Sequence, residues 1–166
     1  RITFLLGDWQ AKTTNFLFSF GISLLILFLP ALGEEWGWRG YMMPKLMKLM
    51  PKSLAIITGG IIWGLWHAPI ILNGHNYPQH PVVGVFLMVV FCVLMTPILM
   101  YFRQKSGSVI VPAIMHGTFN AVAGLTLMII TPANDLLYGA TGLAGMIVLL
   151  IVNLCLFLFD RFVSKE

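Results

Sequence analysis

Residues 82–102 read VVGVFLMVVFCVLMTPILMYF, without a single charged side chain. Coiled as a helix at about 1.5 Å per residue, this run covers roughly 30 Å, the thickness of a bilayer's hydrocarbon core. Four further apolar segments flank it, over residues 14–32, 53–72, 108–130 and 140–159, each long enough to span. Hydrophobic residues make up 58% of the 166 and charged residues 10%, against about a quarter charged in soluble domains. With a mean hydropathy of +0.89, the chain is expected to be all-α: a polytopic transmembrane helical bundle of about five spans. Residues 1–166 are expected to form a single membrane domain.

The connections between these runs differ in charge. Arg39, Lys45, Lys48 and Lys52 follow the first run, Arg103 and Lys105 the third, and Arg161 and Lys165 the fifth, whereas residues 73–81 and 131–139 hold no Lys or Arg. Five crossings put eight of the ten basic residues on one side, leaving Arg1 and Lys12 opposite. The positive-inside rule reads that side as cytoplasmic. The net charge of +4 therefore reports orientation, and no basic stripe points to a nucleic-acid partner. The stretch 36–51, with Trp36, Trp38, Tyr41, Lys45 and Lys48 and a helix bracketed by Pro44 and Pro51, has the composition of an interfacial helix. Cys92 and Cys155 lie inside apolar runs, as small buried hydrophobes do. The chain opens on Arg1 with no signal-peptide cleavage pattern, and helices upstream of it are expected in a longer protein.

Ionisable groups in spanning segments cost about 2.5–3.5 kcal/mol each on insertion scales, so they mark functional candidates. Three groups stand out: Gly33-Glu34-Glu35-Trp36-Gly37-Trp38-Arg39, Trp63-Gly64-Leu65-Trp66-His67, and His116-Gly117-Thr118-Phe119-Asn120. Residues four apart share a helix face, so Glu35 and Arg39 are expected to pair, leaving Glu34 without a local partner, the setting of a general base. His116 and Asn120 share a second face, and Trp63 and His67 a third, where the indole is expected to wall the imidazole. A carboxylate, two imidazoles and a carboxamide suffice to activate water and hold an oxyanion. Each residue also has a plainer reading: Glu34 and Glu35 as solvated interfacial charges, His67, His116 and Asn120 as hydrogen bonds between packed helices. The ordered spacings favour chemistry.

These three motifs resemble E-E-x-x-x-R, [FW]-x-x-x-H and H-x-x-x-N of the CPBP family, the type II CAAX prenyl endopeptidases and bacteriocin-processing or immunity proteins. The resemblance covers residues 34–120, with Trp63 standing where eukaryotic relatives favour Phe. It implies an intramembrane endopeptidase in which Glu34 and His67 activate water, His116 and Asn120 stabilise the oxyanion, and Glu35, Arg39 and Trp63 give structural support. It also implies a peptide or lipidated protein substrate and contact with membrane lipid. Family members are described as metalloproteases, and Glu34, His67 and His116 could ligate a zinc ion with one open position. The zincin pattern H-E-x-x-H is absent, and with no visible second-shell carboxylate the balance tips toward metal-free acid–base chemistry. The site is expected to open to the cytoplasm. The rival functions are a non-catalytic membrane scaffold, a bacteriocin self-immunity protein and, third, a transporter, for which no internal symmetry speaks.

Overall fold

The structure, a computed structural model, describes residues 2–129 and 134–162. The expected end of the fourth span at Ile130 and the start of the far-side loop at residues 131–133, together with Arg1 and Lys165, lie outside them. The described residues form an all-helical bundle with no strand: α1 Ile2–Glu35, a π-helix Trp36–Met42, α2 Met43–Leu49, α3 Lys52–Trp66, α4 Ala68–Leu72, α5 Pro81–Ser106, α6 Ile110–Ile129 and α7 Leu143–Phe162. Of these, α5 and α7 are long and apolar enough to cross a membrane, while α3 and residues 110–123 of α6 are shorter apolar helices.

Helix α5 is the central post. Its buried face contributes Met88, Phe91, Cys92, Met95, Ile98 and Leu99 to the core. The outer helix α7 buries Met146 and Leu149 against that core and leaves Leu150, Ile151, Leu154 and Phe157 exposed. Apolar side chains facing outward on a hydrophobic helix are those of a bundle solvated by lipid.

The contact between α3 and α5 is set by two glycines one turn apart. A Cβ on Gly60 would lie 2.6 Å from the Val93 Cα, and one on Gly64 2.5 Å from the Val89 Cα. Small residues at this spacing let two backbones approach closely where hydrophobic driving force between helices is weak. Across the bundle α1 packs antiparallel on α6, where a Cβ on Gly117 would lie 3.0 Å from the Phe28 Cα. These two close approaches fix the depth of Trp63 and His116.

Where the sequence suggested that the first span ends near residue 32, the helical path continues from Ile2 through Leu49, widening into the π-helix directly after Glu35. Glu34 therefore stands within a long helical element. The Met43 N–H donates to the Trp38 carbonyl five residues back, and such widened turns recur at functional sites. Pro44 falls in the first turn of α2, and Met50 turns extended before Pro51 caps α3.

Candidate active site

The α1–π junction carries the first part of the site. Arg39 is buried, donating from Nη1 to Glu35 Oε1 at 3.0 Å and from Nη2 to Thr96 Oγ1 at 3.3 Å, with its guanidinium carbon 4.0 Å from the Trp63 ring centroid. The expected Glu35–Arg39 pair thus forms. Thr96 on α5 completes it, donating in turn to the Cys92 carbonyl at 2.7 Å. An ion pair removed from water persists only with such added hydrogen bonds and a polarisable neighbour.

Glu35 does more than hold Arg39. Its Oε1 also accepts from His116 Nδ1 at 2.9 Å, so α6 is tied to α1 at the site. A carboxylate accepts only, which assigns the Nδ1 proton to His116 and turns Nε2 toward the cavity. The orienting carboxylate not visible from spacing is Glu35, 81 positions away in sequence.

Glu34, expected to lack a partner, has two. Its Oε2 accepts from Trp63 Nε1 at 2.9 Å and from Trp38 Nε1 at 3.4 Å. Trp63 is correspondingly more than a wall. Its ring stands 5.8 Å from His67 and 5.4 Å from His116, while its N–H fixes the Glu34 carboxylate from across the helix pair. Indole N–H donors stabilise the anion without supplying a mobile proton.

His67 sits where the helix breaks. It ends α3 and begins α4, whose first turn contains Pro69, and proline at this place removes a helical donor and bends the path. Its Nδ1 lies 2.9 Å from the Trp63 carbonyl. A carbonyl accepts only, so the proton is on Nδ1 and the Nε2 lone pair is available. Interrupted helices inside a membrane are tolerated where they line a cavity.

Glu34, Trp63, His67, His116 and Asn120 all line one cavity of about 340 Å³. Its remaining wall is largely apolar, including Met88, Phe91, Met95 and Phe119, and it extends to His75, Asn76 and Thr141. An open groove of about 430 Å³, lined by Gly33, Gly37, Trp38, Tyr41 and Met42, adjoins it and shares Glu34 and Trp66. Glu34 is thus reachable from an enclosed side and an open side. Sequence reasoning passed over Trp38, Thr96, His75 and Asn76. Trp38 was findable, being four residues beyond Glu34 on one face; the others come from different elements.

A carboxylate and two imidazoles are zinc-type donors, but among the described residues no three His, Cys, Asp or Glu side chains converge on a position a metal ion could occupy. Glu34 Oε2 already accepts from two indole N–H groups, which compete with a cation for that oxygen. The geometry does not fit zinc at this place, and the chemistry below is derived from side chains alone.

The fold is that of an all-helical membrane protein, with Glu34, His67, His116 and Asn120 lining one cavity. The chain belongs to the Rce1-like family, type II CAAX prenyl endopeptidase Rce1-like, whose model matches residues 16–122. This agrees with the resemblance read from the three motifs. A stretch of 72 residues is 39% identical to CAAX prenyl protease 2 of Methanococcus maripaludis, covering 39% of this chain and 27% of that protein. The matched part spans about a quarter of the length of that curated relative. No solved structure matches the chain.

Proposed function

We propose that the chain is an intramembrane endopeptidase acting near the C-terminus of lipidated, CAAX-type proteins. The observation that carries this reading is the convergence of Glu34, His67, His116 and Asn120 on one apolar-walled cavity. Water held between Glu34 and His67 Nε2 attacks the scissile carbonyl carbon as Glu34 takes its proton. The new C–O bond converts the carbonyl to an oxyanion, which accepts from Asn120 Nδ2 and from His116 Nε2–H when that ring holds both protons. Collapse breaks the C–N bond, and Glu34 returns its proton to the leaving amine. Glu35, Arg39 and Trp63 hold these groups in place.

The family membership and the similarity to a CAAX prenyl protease support the substrate class, and the open groove beside Glu34 supports entry of a lipidated chain from the side. The loop charges support an orientation in which the Tyr41 end of that groove faces the cytoplasm. In a background lacking Cys92 and Cys155, single cysteines replacing the exposed Tyr41 and the exposed Asn73 test it. A membrane-impermeant thiol reagent should label the first from the cytoplasmic side and the second from the opposite side.

The function is tested by supplying the purified chain with a farnesylated Cys-a-a-X peptide and its unmodified twin. Cleavage of the farnesylated peptide that persists in chelator and is lost in Glu34→Gln is the expected result. A wild-type chain that binds neither peptide nor cleaves either would return the fold to the scaffold reading.

A further inference from the structure

The cavity has further polar lining that the hydrolytic groups do not use. Exposed His75 and half-buried Asn76, on the loop after α4, and Thr141, just before α7, supply it. The backbone there is committed to an unusual shape: Asn76 has φ 61°, and the Tyr77 N–H donates to the His75 carbonyl at 2.7 Å. Asn76 is therefore the centre of a three-residue turn in the left-handed region, which non-glycine residues rarely enter unless the surroundings impose it.

The surroundings do impose it. Tyr77 Oη donates to the Thr141 carbonyl at 2.6 Å, the Gln79 N–H donates to Asp135 Oδ2 at 2.6 Å, and His80 Nδ1 lies 2.6 Å from Asp135 Oδ1. These bonds clasp residues 77–80 to the segment before α7. An amide and an imidazole thus join the apolar wall of Met88, Phe91, Met95 and Phe119 in lining the cavity. Among the described lining residues the one carboxylate is Glu34, so His75 and Asn76 offer donors to an anion.

A ligand matched to this enclosure is apolar along its length and anionic at its tip. A peptide cut near its C-terminus has that character beyond the scissile bond: a few side chains, then a terminal carboxylate. Three extended residues cover about 10 Å, a reach compatible with one cavity of about 340 Å³. We propose that His75 and Asn76 form the subsite for the C-terminal carboxylate of the substrate, with the apolar tail lying against Met88, Phe91 and Phe119. This assignment rests on the endopeptidase reading above.

The test compares a farnesylated Cys-a-a-X peptide carrying a free C-terminal carboxylate with the same peptide ending in a carboxamide, using the full chain in vesicles. Wild type should favour the carboxylate peptide by about 10- to 100-fold in kcat/KM, the range for a hydrogen bond to a charged group, with the difference in KM. Asn76→Gly keeps the turn and removes the amide, and His75→Gln keeps a polar side chain without the ring. Each should collapse the ratio toward one, the loss falling on the carboxylate peptide, with the thermal midpoint checking the fold. Asn76→Asp should disfavour the carboxylate peptide outright. A wild-type ratio near one, or a ratio that survives both Asn76→Gly and His75→Gln, overturns the subsite while leaving the endopeptidase standing. If wild type cleaves neither peptide, the endopeptidase reading fails and the subsite with it.

Discussion

Among the described residues two carboxylate–imidazole pairs stand in this bundle, one at the site and one on the face opposite the basic loops. Glu35 and His116 meet at 2.9 Å with side chains 0% and 6% exposed; Asp135 and His80 meet at 2.6 Å with side chains 9% and 39% exposed. The chemical groups match, and the surroundings do not. In the buried pair the carboxylate also carries Arg39, which in turn needs Thr96 and the Trp63 face. In the outer pair the second carboxylate oxygen accepts from the Gln79 backbone N–H, a neutral donor where Glu35 has the buried Arg39 guanidinium. Burial makes each member of the first group depend on the others, because a charge left unpaired there has no water to fall back on. Exposure makes the second pair a clasp that solvent can replace.

The largest effect should separate Glu34 from its neighbour. Glu34→Gln keeps an acceptor for the Trp63 and Trp38 indoles but removes the base, so hydrolysis should fall by about 10²- to 10⁴-fold with the melting temperature nearly unchanged. Single-turnover assays alongside thermal melts check this. An equal loss of stability would show that both adjacent carboxylates are structural.

Next comes the buried group. Arg39→Ala should destabilise by about 3–5 kcal/mol, since it strands Glu35, and Glu35→Ala by a similar amount. The double change should cost less than the sum of the singles, with a coupling of about 0.5–3 kcal/mol. Chemical unfolding in mixed micelles measures the cycle. Additive losses would reduce the buried pair to the status of the outer one.

A control that touches neither pair sharpens the contrast. Gly64→Ala places a Cβ against the Val89 backbone at 2.5 Å and should cost about 1–3 kcal/mol by overpacking. It also shifts Trp63, the neighbouring residue, whose N–H reaches Glu34, so activity should fall as well. Full activity in this variant would mean that α3 can move without disturbing the site.

How much of this was legible follows from where each contact lies. The five apolar runs correspond to α1, to α3 with α4, and to α5, α6 and α7. The Glu35–Arg39 bond is an i,i+4 contact, readable because helical geometry alone fixes it. Spacing also gave the shared face of His116 and Asn120. It could not give Thr96 as the Arg39 acceptor, Trp63 as the Glu34 donor, or Glu35 as the His116 partner. Those contacts depend on the relative depth of neighbouring helices, which Gly60, Gly64 and Gly117 set by close approach. The widened turn after Glu35 and the break at His67 left weaker traces, in the paired glycines Gly37 and Gly40 and in Pro69.

The smallest expected effect belongs to the outer clasp, and it has a direction in pH. Burial alone would push the Asp135 carboxyl up, but the hydrogen bonds from His80 and the Gln79 N–H outweigh it and hold the group below the usual carboxylate range. A carboxylate held low contributes stability that is fully present above its unfolded value, near 3.9. That contribution is lost as pH falls through the lower folded value. Asp135→Asn should therefore cost about 1 kcal/mol or less at neutral pH, and the difference from wild type should vanish in acid. Because the clasp anchors the residues that follow Asn76, which lines the cavity, the same substitution should also weaken discrimination between carboxylate and carboxamide peptides while leaving the Glu35 group intact. Melting curves across acidic pH, paired with the two-peptide assay, measure both. A loss as large as that of Arg39→Ala would show that the outer pair is as dependent on its partners as the buried one, and the contrast drawn from exposure would fail.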